Sequence, residues 1–355
     1  MARGTQNERR RRSGRARAAF AGIAALVLTD ATTLAARTVT DMRGHQVSIP
    51  DHPARIADLW YAHNELVVML GGAARIAATV DTPSRQPWMF RFAPDLKKAV
   101  ALDNPMPNTE TLLGAGVDLA FYPSSEAVRT ALTQANIPAL AMDFQDFDGL
   151  AHAVTLTADV LDTPLAQQRA TLYTTTLNER IRSLRARTGA LTESQRPRVL
   201  HLLSLHPLKV DGRGTIIDQW ITLAGGRNAA DITGVQKPVT IEQIVAWNPE
   251  VIIIGSAAGP FDPNADGGLW RSVAAVRSGR VVPNPAGVFP WDRYGSESLL
   301  QLSWAAALLH PDMFRASDIP GLVRAFYRTY FDVTLSEDDL HRILIGAPPS
   351  AADTP

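Results

Sequence analysis

Two glutamates occupy matching positions in this chain, and the residues around them repeat. Glu110 stands in Thr109-Glu110-Thr111-Leu112-Leu113, and Asp118, eight positions later, opens the apolar run Leu119-Ala120-Phe121. Glu242 stands in Ile241-Glu242-Gln243-Ile244-Val245, and Glu250, again eight positions later, opens Val251-Ile252-Ile253-Ile254. Each glutamate falls at the start of a short amphipathic helix that leads into a buried strand. A carboxylate there gains from the helix dipole and is shaped to pair with a guanidinium. Alone, either residue would be explained by support of its own helix, worth about 0.3–1 kcal/mol. The matched pair points to two similar lobes, each displaying one glutamate.

A second set of residues suits ligand binding. Trp60, Tyr61 and His63 follow one predicted strand, Tyr122 follows another, and Trp88, Phe90 and Arg91 lie in a Pro- and aromatic-rich loop. In the second half, His206 and Lys209 form one group and Phe289, Trp291 and Arg293 another. Aromatic walls with a few cations suit a large, flat, partly anionic ligand such as a ferric chelate or a macrocycle. His63 and His206 are also candidates to ligate a metal, against the plainer reading of hydrogen-bonded or surface histidines. The eight histidines are scattered, and no close-spaced His/Glu metal motif is present. A chelated metal needs fewer protein ligands than a bare one.

The elements that would position these residues alternate. A hairpin over 38–50 precedes strand 55–59, helix 64–70, strand 75–80, the loop 83–94, the first repeat, helix 125–135 and strand 138–144. Residues 149–188 are helical except for a break at Asp162-Thr163-Pro164; the second piece carries Leu172, Leu177, Ile181 and Leu184 at helical spacing. The second half restarts with strand 198–203 and helix 215–224, then the second repeat, a strand near 281–283 and helices 296–309, 318–330 and 337–344. This reads as an α/β fold of two Rossmann-like lobes with parallel sheets, joined by a long rigid helix. Open parallel sheets bind ligands beyond the carboxyl ends of their strands, which selects the loops named above. The expected domains are a signal peptide at 1–36, an N-terminal lobe at 37–160, the connecting helix at 161–190, a C-terminal lobe at 191–345 and a mobile tail at 346–355.

The 355 residues are 46% hydrophobic and 20% charged with a formal net charge of zero, a globular composition that does not suggest a nucleic-acid partner. Seven arginines crowd the first 36 positions ahead of an apolar run from Ala18 to Leu28. This resembles an export signal, with cleavage near Ala35 or Ala36. No cysteine is present, so disulfides, thiolate metal sites and an acylated-cysteine anchor are not expected. A periplasmic protein fits best. Nothing matches a phosphate loop, a nucleophile elbow or a dinucleotide fingerprint, and the Gly71-Gly72 and Gly225-Gly226 pairs read as helix ends. An enzyme is not expected.

Together these segments resemble the substrate-binding proteins of importers for iron–siderophores, cobalamin and related chelates. The likeness covers about residues 38–345. It rests on Val39-Thr40-Asp41-Met42-Arg43-Gly44, Asn108-Thr109-Glu110, Leu223-Ala224-Gly225-Gly226-Arg227-Asn228, Glu242 to Ile253, Trp270 with Ala275-Val276 and Gly279-Arg280-Val281, and Pro285 to Arg293 with Glu297. The resemblance implies a monomeric periplasmic receptor that carries a small-molecule metal chelate, foremost a ferric siderophore, to an inner-membrane ABC permease with its ATPase. It implies that Glu110 and Glu242 dock on permease arginines. It implies no intrinsic cofactor, only a ligand containing a chelated metal such as ferric iron. A corrinoid or haem receptor of the same class, and a secreted histidine-site metal-binding protein, are the alternatives. A stiff connecting helix implies little lobe closure on binding.

Overall fold

The computed structural model describes residues 36–350. The export signal expected over 1–36 therefore lies, apart from Ala36, outside the described residues. Strands β1 (Ala36–Thr40) and β2 (Gln46–Pro50) form an antiparallel hairpin. The first sheet contains β3 (Ile56–Asp58), β4 (Ile76–Thr79), β5 (Val100–Ala101), β6 (Leu119–Pro123) and β7 (Ala139–Met142), ordered β5-β4-β3-β6-β7 with every pair parallel. The second contains β8 (Arg198–Leu205), β9 (Leu208–Val210), β10 (Arg227–Asn228), β11 (Lys237–Pro238), β12 (Val251–Ile254) and β13 (Val281–Pro283), along the path β11-β9-β8-β12-β13. Here β8 pairs in parallel with β10 and β12, and β12 with β13, but β9 runs antiparallel to β8. The tight turn at His206-Pro207 sends the chain straight back, and a turn that short can only join antiparallel strands.

Strands buried on both faces read as unbroken apolar runs, and Val251–Ile254 is buried throughout. In each sheet the first strand of the lobe (β3, β8) has neighbours on both sides, so the strand order reverses beside it. The crevice at such a reversal is where α/β sheets place ligands.

Helices Phe147–Leu161 and Pro164–Thr188 join the two halves. The break between them has three local causes. Asp162 adopts a left-handed conformation (φ 46°), the Thr163 side chain accepts from Ala166 N at 3.1 Å, and Pro164 takes the first helical turn, where its missing N–H costs nothing. The 25-residue connecting helix spans about 37 Å. It buries Ala166, Ala170, Tyr173, Leu177, Ile181, Leu184 and Thr188, a face with steps of three and four. Leu172, expected on that face, is 45% exposed, and Tyr173 takes its place.

One apolar core runs from Ile56 and Leu66 through Tyr173, Leu177 and Leu184 to Trp220, Leu302 and Phe326, so both sheets lean on the same helix. Helices Ile319–Phe331 and Glu337–Leu344 follow and return to the first half. Arg169 meets Asp332 at 2.7 Å and Arg91 meets Asp339 at 2.9 Å. The tail expected to be mobile is held at its start, because Ala347 O accepts from Trp88 Nε1 at 3.0 Å. The loop 83–94 contains a short helix, Pro87–Phe92, too brief to show a helical period in the sequence.

Candidate functional site

The repeated segments become equivalent corners. Helix Thr109–Gly114 is capped by Asn108, which accepts from Thr111 N at 3.2 Å, and helix Ile241–Trp247 by Thr240, paired reciprocally with Gln243. Both helices return toward the amino end of the next strand, so their first turns lie at the carboxyl ends of the sheets, where the crevice opens. Glu110 and Glu242 are exposed there. The Glu242 carboxyl is held below its usual range by its own backbone N–H and the Thr240 hydroxyl. At the far end of each helix the second acid anchors the lobe's first strand. Asp118 accepts from Ala54 N and Arg55 N at 2.8 and 3.1 Å, and Glu250 accepts from Arg198 N at 2.8 Å. Arg55 Nε donates to Ala115 O, and Arg198 Nε to Asn248 O.

Between the lobes an aromatic trio closes the gap. Trp60, which follows β3, and Phe144, which follows β7, lie 5.2 Å apart edge to face, and Tyr294 of the second half reaches both at 6.4 and 5.8 Å. Its hydroxyl donates to Gln145 Oε1 at 3.4 Å, and burial and the nearby Asp211 push it up to about 12. Next to it in the chain, the half-buried Arg293 makes no hydrogen bond or ion pair through its guanidinium among the described residues, and its Nη2 is buried without a partner there. Tyr61 accepts from Arg85 Nη1 at 3.0 Å, with that guanidinium 5.5 Å from its ring centre.

Buried charge underlies both lobes. His201 lies between two carboxylates, Asp211 at 3.0 Å and Asp292 at 2.6 Å. Burial opposes its charge, but the two aspartates win and raise it to about 9. The same histidine holds Asp211 below its usual range. Across the lobes, the Glu65 carboxylate accepts Ser296 N at 2.6 Å and the Ser296 hydroxyl, and burial raises Glu65 to about 7. Glu297 accepts from Val288 N, Phe289 N, Trp291 Nε1 and Tyr327 hydroxyl. Burial and the charge of Glu65 keep it well above the carboxylate range.

Of the residues expected to bind ligand, the structure brings Trp60 to the inter-lobe gap, places Arg293 where its charge acts on Asp211 and Tyr294, and leaves Tyr61 on the first-lobe side beside Arg85. The others go elsewhere. His63 is fully buried, with Nδ1 2.7 Å from Asp58 and Nε2 2.9 Å from Thr157, so it braces β3 rather than lining the crevice. Trp88 is 2% exposed and packs at a tilt against Phe92. Arg91 forks onto Asp339 at 2.9 and 3.1 Å; both residues tie down the C-terminal segment. Tyr122 and Trp291 are core side chains, and His206 is exposed at the β8–β9 turn, away from His63. Among the described residues no group of three or more His, Asp or Glu could hold a metal ion. Sequence reasoning missed Phe144, Tyr294 and the Glu65–Ser296 contact. Tyr294 carried a signal, since it directly follows the selected segment Phe289 to Arg293, and Phe144 a weaker one, since it ends a predicted strand.

A family model described as periplasmic binding protein matches residues 56–286. The molybdate-binding protein MolA of Haemophilus influenzae is 26% identical over 342 residues, which cover 88% of this chain and 95% of MolA. The crystal structure of MolA with molybdate matches with a TM-score of 0.74 at 23% identity, over 84% of this chain and 99% of that one. A periplasmic solute-binding protein from Veillonella parvula matches with a TM-score of 0.76 at 24% identity, over 88% and 98%. Helicobacter pylori CeuE with Ni(II) bound matches at 0.69 and 18% identity, over 87% and 99%. The chain belongs to the periplasmic binding proteins, the solute-binding components of ABC importers, and is not an enzyme.

Proposed function

We propose that this periplasmic binding protein receives a compact anionic metal species, foremost a molybdate-type oxyanion, between its lobes and delivers it as a monomer to an ABC permease. Arg293 carries the reading. A guanidinium with a buried, unpartnered nitrogen beside the crevice is a donor waiting for an acceptor, and its fork suits an oxyanion. Size argues the same way. Trp60, Phe144 and Tyr294 already touch across the gap, so a small ion needs less separation of the lobes than a large chelate. The likeness to MolA supports the oxyanion.

The same trio favours a second reading, an anionic ferric chelate stacked on the aromatic rims. Calorimetric titration with molybdate, tungstate and a ferric siderophore separates the two. Saturable one-to-one binding of the oxyanions, weakened about tenfold or more by Arg293→Ala, is the expected result. Binding of the siderophore alone would transfer the assignment to the chelate, and an unchanged oxyanion affinity in the variant would remove Arg293 from the site.

A further inference from the structure

A groove follows the connecting helix where it packs against helices Ser298–Leu309 and Ile319–Phe331, and its two halves differ in chemistry. One half, about 210 Å³, is walled by Leu172, Leu299, Leu300, Phe326 and Tyr330. The other, about 560 Å³, is walled by Arg187, Arg315 and Phe314. Arg180, Ser303 and Leu322 line both halves, so the apolar slot opens directly into the cationic one.

The cations are not neutralised by their surroundings. Among the described residues, Arg180, Arg187 and Arg315 make no hydrogen bond or ion pair through their side chains, and Asp318 is the one acid on that wall. Arg187 lies over the Phe314 ring at 3.8 Å. Arg180 is half-buried, and burial together with the like charge of Arg187 holds it below its usual range. Two guanidiniums crowded without a counter-ion repel each other, and an anion between them would relieve that repulsion. Leu172 meanwhile leaves 45% of its surface exposed at the mouth of the apolar slot.

We propose that this groove is a second binding site, separate from the crevice, for a single-chain anionic amphiphile. Its phosphate or carboxylate head sits among Arg180, Arg187 and Arg315, and its alkyl chain runs along Leu172, Leu322 and Phe326. Neither half explains the other alone. An apolar slot would take any hydrocarbon and a cationic wall any anion, but their junction at Arg180 selects a ligand with both parts.

Dodecyl phosphate, below its micelle-forming concentration, is the probe. Calorimetry on the protein should show saturable one-to-one binding, weakened about tenfold or more in the Arg180→Ala/Arg187→Ala double variant and severalfold in Leu172→Gln. Urea midpoints of both variants check that the fold persists. Co-sedimentation with phosphatidylglycerol vesicles that both substitutions abolish would identify a membrane lipid as the source; binding of dodecyl phosphate without vesicle attachment would identify a free amphiphile. Three results each overturn the proposal: inorganic phosphate binding as tightly as dodecyl phosphate, dodecyl maltoside binding as tightly, or unchanged affinity in both folded variants.

Discussion

The first lobe anchors its leading strand with a short acid that accepts two backbone N–H groups, Asp118, and the second with a longer acid that accepts one, Glu250. Beneath the crevice the contrast reverses. His63 of the first lobe has one carboxylate partner and a threonine, whereas His201 of the second is held between two carboxylates. The lobes thus share a plan of corner acid, capped helix and exposed glutamate while differing in how each buried position is filled. What repeats is set by backbone accounting, since each strand start and helix end must satisfy its own N–H and C=O groups. What differs is the side-chain electrostatics behind the crevice, where the two lobes face unlike neighbours.

The largest effect tests the shared part. Glu110→Ala combined with Glu242→Ala should abolish uptake while leaving ligand affinity unchanged and lowering the urea midpoint only slightly, because both carboxylates are exposed and each adds only about 0.3–1 kcal/mol to its own helix start. A parallel loss of affinity would show that the two glutamates are not a docking pair. Next in size is the contrast between histidines. His201→Ala strands two buried aspartates and should cost about 3–5 kcal/mol. His63→Ala leaves Asp58 with its contact to Trp60 N and should cost about 2 kcal/mol. Equal losses in urea unfolding would mean that the second carboxylate at His201 adds nothing.

Titration sharpens the same contrast. His201 is raised to about 9 in the folded chain from an ordinary value of 6.5. Its contribution is fully present below 6.5 and is lost as pH rises through about 9. Glu65 and Asp81 are both raised to about 7 by burial, so ionising them costs stability as pH climbs from the ordinary carboxylate range through 7. All three slopes share a sign, and the unfolding midpoint should fall steadily between pH 5 and pH 9. In His201→Gln the upper part of that decline should flatten while the lower part, owed to the first-lobe carboxylates, remains.

The elements themselves were legible because their signals are local. The break at Asp162-Thr163-Pro164, the helix starts at Glu110 and Glu242, and the apolar run Val251–Ile254 all follow from residues within a few positions of one another. The two-lobe plan was legible because the repeat at Glu110 and Glu242 recurs with the same eight-residue offset to an acid. The crevice was only half legible. The strand-end rule selected the loop after Leu59 and the segment ahead of Tyr294, which meet across the gap, but could not say which side chains turn inward, and in a segment such as Phe289 to Arg293 neighbours part ways: Trp291 is buried against Glu297 while Arg293 keeps a buried nitrogen without a partner among the described residues. Trp88 and Arg91 were misread because their partners, Ala347 and Asp339, lie about 250 positions away. No window along the sequence connects them. Glu65 and Ser296 are separated in the same way, and their contact becomes visible only once the connecting helix has brought the lobes together.

The smallest predicted effect addresses the corner acids directly. Asp118→Ala releases two backbone N–H groups and Glu250→Ala one, with Arg198 Nη1 a further 3.6 Å contact from Glu250. Hydrogen bonds to a charged group contribute about 1.5–3 kcal/mol when shielded and less at half-exposed positions such as these. A loss of about 2 kcal/mol for Asp118→Ala and about 1 kcal/mol for Glu250→Ala is therefore expected. The conservative exchanges separate backbone anchoring from simple charge. Asp118→Asn keeps an acceptor and should recover part of the loss, as should Glu250→Gln. If the asparagine and alanine variants at position 118 unfold at the same urea concentration, the corner is held by charge rather than by the paired acceptor, and the resemblance between the two lobes at that point is one of sequence alone.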